Sequence, residues 1–434
     1  MSKSCVQNSQ GVFMCARTAV ITHGILYFTQ REIKTMNIKK QTGLLYLYEA
    51  IICFRMVDVV WVIFLLGRGY SLAEVGIAEG IFHVTSMIFE IPSGMAADLC
   101  GRKRTLVLSG IMGMLSCIFM MLDGFRGWIY VGMIFSALSL NLASGTEEAL
   151  LYDSLLEAGC AQRYGQVRSR SSVIGRISSA LSCMASPVAI AAGFRYTYLG
   201  SALLDLGSAL AALGMSEPQV TEEQKNRRAY TLKENRKRLI KHVQTTLIFI
   251  REHPKIMGKL FANGALGCPC FLIMMYLQEH LVNCGWPQEF IGIPMLLIPL
   301  AGALGAWLAS RNKKPLFKMV ILLGLLSGAG ICLTGSSVLW LSLTGACIVR
   351  VCEGFAEIAV SEDVNRQFTS DQRATLVSVD SMIYSMLMVV ASPVTGFLGS
   401  RYGVQAIFVV MGVILLTAVC VLGWLYRRKN KCHR

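Results

Sequence analysis

The chain has 434 residues, 54% of them hydrophobic and only 15% charged, with 41 Lys and Arg against 26 Asp and Glu for a net charge of +15. Ordinary soluble domains carry about 25% charge, so this composition excludes a string of soluble domains. The basic residues fall in short clusters between apolar runs, which excludes the continuous basic face of a nucleic-acid binder and fits the loops of a membrane protein.

Residues 1–43 hold no long apolar run, because Arg17 and His23 interrupt the most hydrophobic part. They lack the core and cleavage site of a signal peptide. The stretch 1–43 is expected to be a cytoplasmic N-terminal extension, and Met36, followed by Asn-Ile-Lys-Lys, is a natural start just ahead of the first span, which would leave residues 1–35 outside the working protein. Beyond it, the stretches 127–146, 290–310, 319–349 and 402–426 contain no Asp, Glu, Lys or Arg. About 20 apolar residues cross a bilayer, so each is long enough for one or two spans. The pattern predicts an all-α membrane protein of twelve transmembrane helices, near 44–66, 73–94, 104–123, 128–150, 171–193, 197–215, 257–280, 288–310, 316–334, 338–361, 374–397 and 403–425. Ser71-Leu-Ala-Glu74 opens the second as a capping box. Trp128, Trp286, Trp340 and Trp424 fall at expected interfaces, where amphipathic rings prefer to sit.

The segment 216–256 splits the helices into bundles at 44–215 and 257–425, with a basic cytoplasmic tail at 426–434. Within it Leu232, Leu239, Ile240, Val243 and Leu247 recur at helical spacing among Lys233, Arg236, Lys237, Arg238 and Lys241. That pattern suits an amphipathic helix on an anionic inner leaflet, or equally a solvated linker helix. The termini and even-numbered connections hold 32 basic residues, whereas the opposite loops hold only Arg68, Arg126, Arg195 and Arg401. The asymmetry puts both termini in the cytoplasm of a multi-pass protein of the cell membrane.

An internal repeat supports the division. Ala185-Ser-Pro-Val closes helix five and returns as Ala391-Ser-Pro-Val closing helix eleven; Gly193, Arg195 and Tyr196 return as Gly399, Arg401 and Tyr402. A weaker echo pairs Gly145, Glu148 and Asp153 with Gly354, Glu357 and Glu362. Helices five and eleven cross in the same sense, so the bundles are parallel repeats related by a pseudo-twofold, a transporter plan with its site at the interface.

Charges inside the spans are the functional candidates, since each costs roughly 2.5–3.5 kcal/mol or more at mid-bilayer. Arg55 and Asp58 share a face of helix one, with Glu49 nearer the cytoplasm on another face. Asp205 stands alone in helix six. Arg350, Glu353 and Glu357 form one stripe on helix ten. These residues are expected to bind substrate or carry the coupling proton in a central cavity, or else to lock helices as ion pairs. Glu90 and Asp153, near the cytoplasmic ends, are candidates for a secondary gate.

Between helices two and three stands Gly94-Met-Ala-Ala-Asp98-Leu-Cys-Gly101-Arg102-Lys103-Arg104. Physically, Gly94 would let two helices approach and Gly101 would allow a tight reversal. Arg102, Lys103 and Arg104 would anchor the cytoplasmic face, and Asp98 would accept from free N–H groups at a helix start. The loop resembles the signature of the major facilitator superfamily (MFS), at the expected position. The resemblance covers about residues 40–425. Glu90-Ile-Pro-Ser-Gly94, the run from Ser144 to Ser154 and Arg373-Ala-Thr-Leu-Val-Ser378 are similar to a bacterial branch. It implies the MFS fold and a gating latch between this loop and the start of helix eleven near Arg373. The second-half counterpart, Gly305 to Lys314, keeps the basic turn but has Ala309 in place of the acid. Family exporters often carry Gly-Pro-x-x-Gly-Gly in helix five, where this chain reads Ser186-Pro-Val-Ala-Ile-Ala-Ala-Gly193.

There is no G-x-x-x-x-G-K-[ST] nucleotide loop, no HExxH and no selectivity-filter pattern, which argues against a pump, a membrane enzyme or a channel. Most of the 15 cysteines sit within spans, Cys117, Cys183, Cys332 and Cys420 among them, and pack as small hydrophobes. Cys268 and Cys270 have no second pair at zinc-site spacing. The expectation is a monomeric secondary transporter, not an enzyme, without metal or cofactor. Its partners are a small-molecule substrate, protons and membrane lipids, not nucleic acid. Coupling is assigned to Asp58 with help from helix ten. Met274, Met275, Tyr276, Met382, Tyr384 and Met386 either pack as core, the commoner role of such residues, or line an accommodating apolar cavity, which tilts the expectation toward efflux of lipophilic compounds. Uptake of a sugar, nucleoside or other metabolite is the alternative, and a non-transporting sensor on the same fold a second.

Overall fold

The computed structural model of the chain describes residues 36–220, 248–311, 316–365 and 370–432, together with 237, 240, 244–246 and 367. The extension before Met36, the amphipathic stretch over 221–236, the basic turn at 312–315 and the last two residues of the tail lie outside the described residues.

Among the described residues, fifteen α-helices group into twelve spans. Span one is α1 (Ile38–Cys53) and α2 (Met56–Gly67). Spans two and three are α3 (Leu72–Cys100) and α4 (Arg102–Met121). Span four is α5 (Trp128–Ala143) and α6 (Thr146–Glu157). Span five is α7 (Tyr164–Met184) and α8 (Ser186–Ala192), and span six is α9 (Phe194–Gly214). Spans seven to twelve are α10 (Pro254–Asn283), α11 (Gly292–Ser310), α12 (Leu316–Thr334), α13 (Leu339–Asn365), α14 (Ser370–Tyr402) and α15 (Val404–Cys432). Among the described residues, nine spans are long and apolar enough to cross a membrane, and the pair α7 and α8, bent by 48°, makes a tenth. Span nine is apolar but short, and span ten carries the charged stripe.

All twelve expected helices are present, several running further at the end that carries the Gly101 turn. Three are interrupted, which hydropathy did not foretell. Phe54 (ψ 64°) and Arg55 (ψ 92°) leave helical geometry and break span one. Gly145, at φ 71°, takes a left-handed conformation that residues with a Cβ resist, and breaks span four. Pro187 opens α8 where its missing N–H costs nothing, beyond the bend in span five. The capping box forms as expected: Glu74 N–H donates to Ser71 Oγ at 3.3 Å while Ser71 N–H donates to Glu74 Oε2 at 2.8 Å.

The packing repeats with a shift of six spans. Span three packs on four and six, as nine packs on ten and twelve; two packs on four as eight packs on ten; one packs on five as seven packs on eleven. Across the two bundles, two lies along eleven and five touches eight. The Ser of each repeated Ala-Ser-Pro-Val makes the crossing bond. Ser186 Oγ on span five accepts from Gly292 N–H on span eight at 2.9 Å. Ser392 Oγ on span eleven donates to the Gly76 carbonyl on span two at 3.0 Å. Both serines are fully buried. A Cβ on Gly76 or Gly292 would collide with the opposing backbone, at Ser392 and Cys183 respectively. Together they draw the bundles tightly together at the end away from Gly101.

Candidate functional site

The break in span one places Arg55 and Asp58 in the middle of the molecule, where unwound backbone of a discontinuous helix commonly frames a transport site. Arg55 Nε lies 3.6 Å from Asp58 Oδ2, an ion pair too long for a hydrogen bond. The Asp58 side chain is 63% exposed and borders two cavities.

The larger cavity, about 600 Å³, is enclosed by spans one, two, three, four and six, with Phe271 of span seven and Tyr384 of span eleven closing it from the other bundle. Asp205, 5% exposed, points into it from span six. Its carboxylate sits directly over Gly113 of span three, where a Cβ would come within 2.8 Å of Asp205 Cγ. Cys117 Sγ donates to Asp205 Oδ2 at 3.5 Å.

Span two contributes a pair that the sequence had not singled out. Glu79 and His83 stand one turn apart, 4% and 5% exposed, with Glu79 Oε1 3.2 Å from His83 Nε2. His83 Nδ1 lies 3.4 Å from Ser385 Oγ on span eleven. Phe82, Phe271 and Tyr384 meet the imidazole edge-on. Both residues border the same cavity as Arg55, Asp58 and Asp205. The signal available was a Glu and a His at i, i+4 inside an apolar helix, where a buried ionisable pair marks function by default.

The stripe on span ten is placed elsewhere. Arg350 and Glu353 form an ion pair packed against span eight, where a Cβ on Gly302 would lie 2.8 Å from Arg350 Nε. Glu357, a turn further on, is exposed. None of these three is among the residues enclosing either cavity at Asp58. Glu49 faces span five, where Gly175 leaves room for its carboxylate.

At the Gly101 end, Gly101 takes φ 99° and turns the chain between α3 and α4. Arg102 forms an ion pair with Asp153 of span four and donates to the Ala149 carbonyl at 2.5 Å. The backbone N–H groups of Arg102 and Lys103 donate to Glu217 Oε1 and Oε2 at 2.9 and 2.8 Å, so the Glu217 side chain caps the start of α4. A Cβ on Gly94 would meet nothing within 4 Å among the described residues, so the close approach expected there is not made. Side chains 368–375, where the latch partner Arg373 stands, lie outside the described residues. Glu90 nevertheless reaches span eleven: Ser381 Oγ donates to its Oε2 at 3.2 Å.

Residues 50–364 match the family model of the Major Facilitator Superfamily. The chain belongs to that superfamily. A curated relative, "Uncharacterized MFS-type transporter YxaM" of Bacillus subtilis (strain 168), is 22% identical over 371 residues, spanning 83% of this chain and 89% of the relative. Among solved structures, a variant of the nucleoside transporter NupG superposes with a TM-score of 0.71 at 15% identity, covering 89% of this chain and 99% of that one. A peptide transporter POT variant in complex with alafosfalin gives 0.67 at 13%, covering 90% and 94%. A D-xylose-proton symporter gives 0.59 at 14%, covering 88% and 95%. At such identities the likeness is one of fold. The chain is therefore a multi-pass membrane transporter of twelve helices in two six-helix bundles, a family normally without enzymatic activity.

Proposed function

We propose that this transporter couples protons to the movement of a small polar organic solute by alternating access, in the cell membrane, with the basic Gly101 end cytoplasmic. One observation carries the reading: a single 600 Å³ cavity is bordered by two separate acid–base pairs, Arg55 with Asp58, which opens onto the cavity, and the buried Glu79 with His83. Desolvating such groups is costly without a use for their charge, and the Glu79–His83 pair contacts the opposite bundle through Ser385 and Tyr384. A proton held there bears directly on how the bundles meet. Asp58 and Asp205 are the further carboxylates within the same enclosure. Their number favours a polar solute over the lipophilic one expected from the methionines. Export of lipophilic compounds remains the second reading, favoured by Trp61, Phe82, Met120, Met133 and Phe271 on the cavity wall.

The test uses proteoliposomes with an imposed pH gradient and an internal pH dye, challenged separately with neutral and anionic metabolites and with lipophilic cations. Proton movement triggered by metabolites and lost in Glu79→Gln and Asp58→Asn is the expected result. A response to lipophilic cations alone would replace the reading with the second one. Proton movement undiminished in both variants would remove the coupling assignment.

A further inference from the structure

A second cavity of about 240 Å³ adjoins the first and is bordered by both bundles: span one (Cys53, Arg55, Asp58), span five (Ser179, Ser182, Cys183), span seven and span eight. It shares Arg55, Asp58 and Phe271 with the larger one, so the two are compartments meeting at the ion pair. Three polar atoms on its wall are buried without a hydrogen-bond partner among the described residues: Arg55 Nε, Ser182 Oγ and Gln278 Oε1. Ser182 is 2% exposed and Gln278 3%. A buried polar group left unpaired keeps its full desolvation cost, and native structures hold few of them. Three converging on one cavity, from both bundles, is the signature of groups kept for a ligand. Tyr198 Oη, likewise unpartnered, faces the larger compartment beside them.

The donor set dictates the ligand. Arg55 is a fixed cation with a free N–H and takes an anion, most effectively a carboxylate. Gln278 Oε1 requires a donor, and the Ser182 hydroxyl serves either role. The rest of the wall, Val59, Phe271, Met274, Met275, Met295 and Pro299, is apolar and adaptable. We infer that this compartment is a recognition site for a small organic monocarboxylate with an apolar body and a hydroxyl or amide donor, its carboxylate on Arg55 and its donor on Gln278. The inference rests on the transport reading above and names its substrate class.

Asp58 and the substrate carboxylate compete for one guanidinium. The other titratable or charged groups lining the two cavities with Asp58 are Cys117 from span three, Asp205 and Tyr198 from span six, Glu79 and His83 from span two, Tyr48 and Cys53 on its own span, Cys183 from span five and Tyr384 from span eleven; spans seven and eight present none. A proton on Asp58 releases Arg55 to the substrate, so one proton and one monocarboxylate cross together without net charge.

The test measures ligand-induced thermal stabilisation of the purified full-length protein. The probes are short-chain, branched and aryl carboxylates, each beside its primary amide, with mandelate beside phenylacetate for the hydroxyl. Carboxylates should stabilise and amides should not. Gln278→Leu should weaken mandelate binding by roughly tenfold to a hundredfold while sparing phenylacetate, and Arg55→Gln should abolish both. If Arg55→Gln does not fold, Gln278→Leu decides alone. In proteoliposomes the carboxylate-driven proton signal should be unchanged by a clamped membrane potential. Equal responses to carboxylate and amide, no response to carboxylates, or an indifferent Gln278→Leu would each overturn the inference. Proton movement driven by neutral solutes but not by carboxylates would overturn it and leave the transport reading standing. Proton movement driven by neither would remove both.

Discussion

Asp123, in the turn between α4 and α5, shows how single residues hold the end of the molecule away from Gly101. Its carboxylate accepts from Arg68 at 2.8 Å and from Arg195 at the start of span six, and Arg68 stacks over Phe194 at 4.5 Å. Those hydrogen bonds, the one from Arg195 foremost, hold the Asp123 carboxyl below the usual range. A depressed folded value means stability that is present above the unfolded value, about 3.9, and lost as pH falls through the folded one. Asp123→Asn should therefore lower the thermal midpoint by a small amount above about pH 5, the gap closing from about pH 4 downward. Added salt should shrink the gap too, since exposed pairs are screened. A gap that persists at acid pH would show the pair to be idle. The candidate site was partly legible at this scale. Arg55, Asp58 and Asp205 stand out because charge inside an apolar run demands a reason. Gln278 and Ser182 look ordinary in a sequence, for being unpartnered is a property of packing and not of residue type. Glu79 and His83 gain their meaning from Ser385, Phe271 and Tyr384, which only the folding of three spans brings together.

Elements were legible where they follow from apolar length, and obscure where backbone geometry departs from it. Most of the twelve spans could be counted because they bury or offer to lipid a near-continuous apolar run. The break at Phe54 and Arg55 was not legible, since neither residue breaks helices by propensity. The break lies where Arg55 and Asp58 border both cavities. The fit of span three to span six is likewise tertiary: Gly113 admits the Asp205 carboxylate, and Gly110 lies against the Asp205 carbonyl, 2.8 Å from where a Cβ would be. Gly113→Val would force Asp205 off Cys117 and part the two helices. The expected cost is about 1–3 kcal/mol, as for other small-to-large changes in packed interiors. It would appear as a lower thermal midpoint together with loss of solute-driven proton movement. Gly207→Val, on the facing span six, makes a sound control, because among the described residues its Cβ would find only Ile51 Cδ1, at 3.8 Å. Equal behaviour of the two variants would mean that the seat of Asp205 is unimportant.

For the molecule as a whole, the repeated Ala-Ser-Pro-Val was visible as a string, but its task was not. Each copy sends a serine across to the other bundle, to Gly292 and to Gly76, so the pseudo-twofold acts on the contact as well as on the sequence. At the opposite end the described links are fewer, Glu90 with Ser381 among them. An alternating-access cycle requires that the two ends seal in turn, and a seal made of glycine against backbone cannot accept a side chain. Gly292→Leu and Gly76→Leu should therefore each hold that end apart while leaving both bundles folded. Cys183, whose carbonyl lies against Gly292 and whose side chain borders the smaller cavity, is the natural reporter. Its modification by a membrane-impermeant maleimide, mapped by mass spectrometry, should rise in both variants when the reagent is added from the sealed side, and solute-driven proton movement should stop. If Cys183 gains access in Gly292→Leu but not in Gly76→Leu, the two latches are separate contacts and the twofold has no mechanical meaning. If both variants behave alike, one rocking motion breaks both serine contacts at once, as two rigid bundles related by symmetry require.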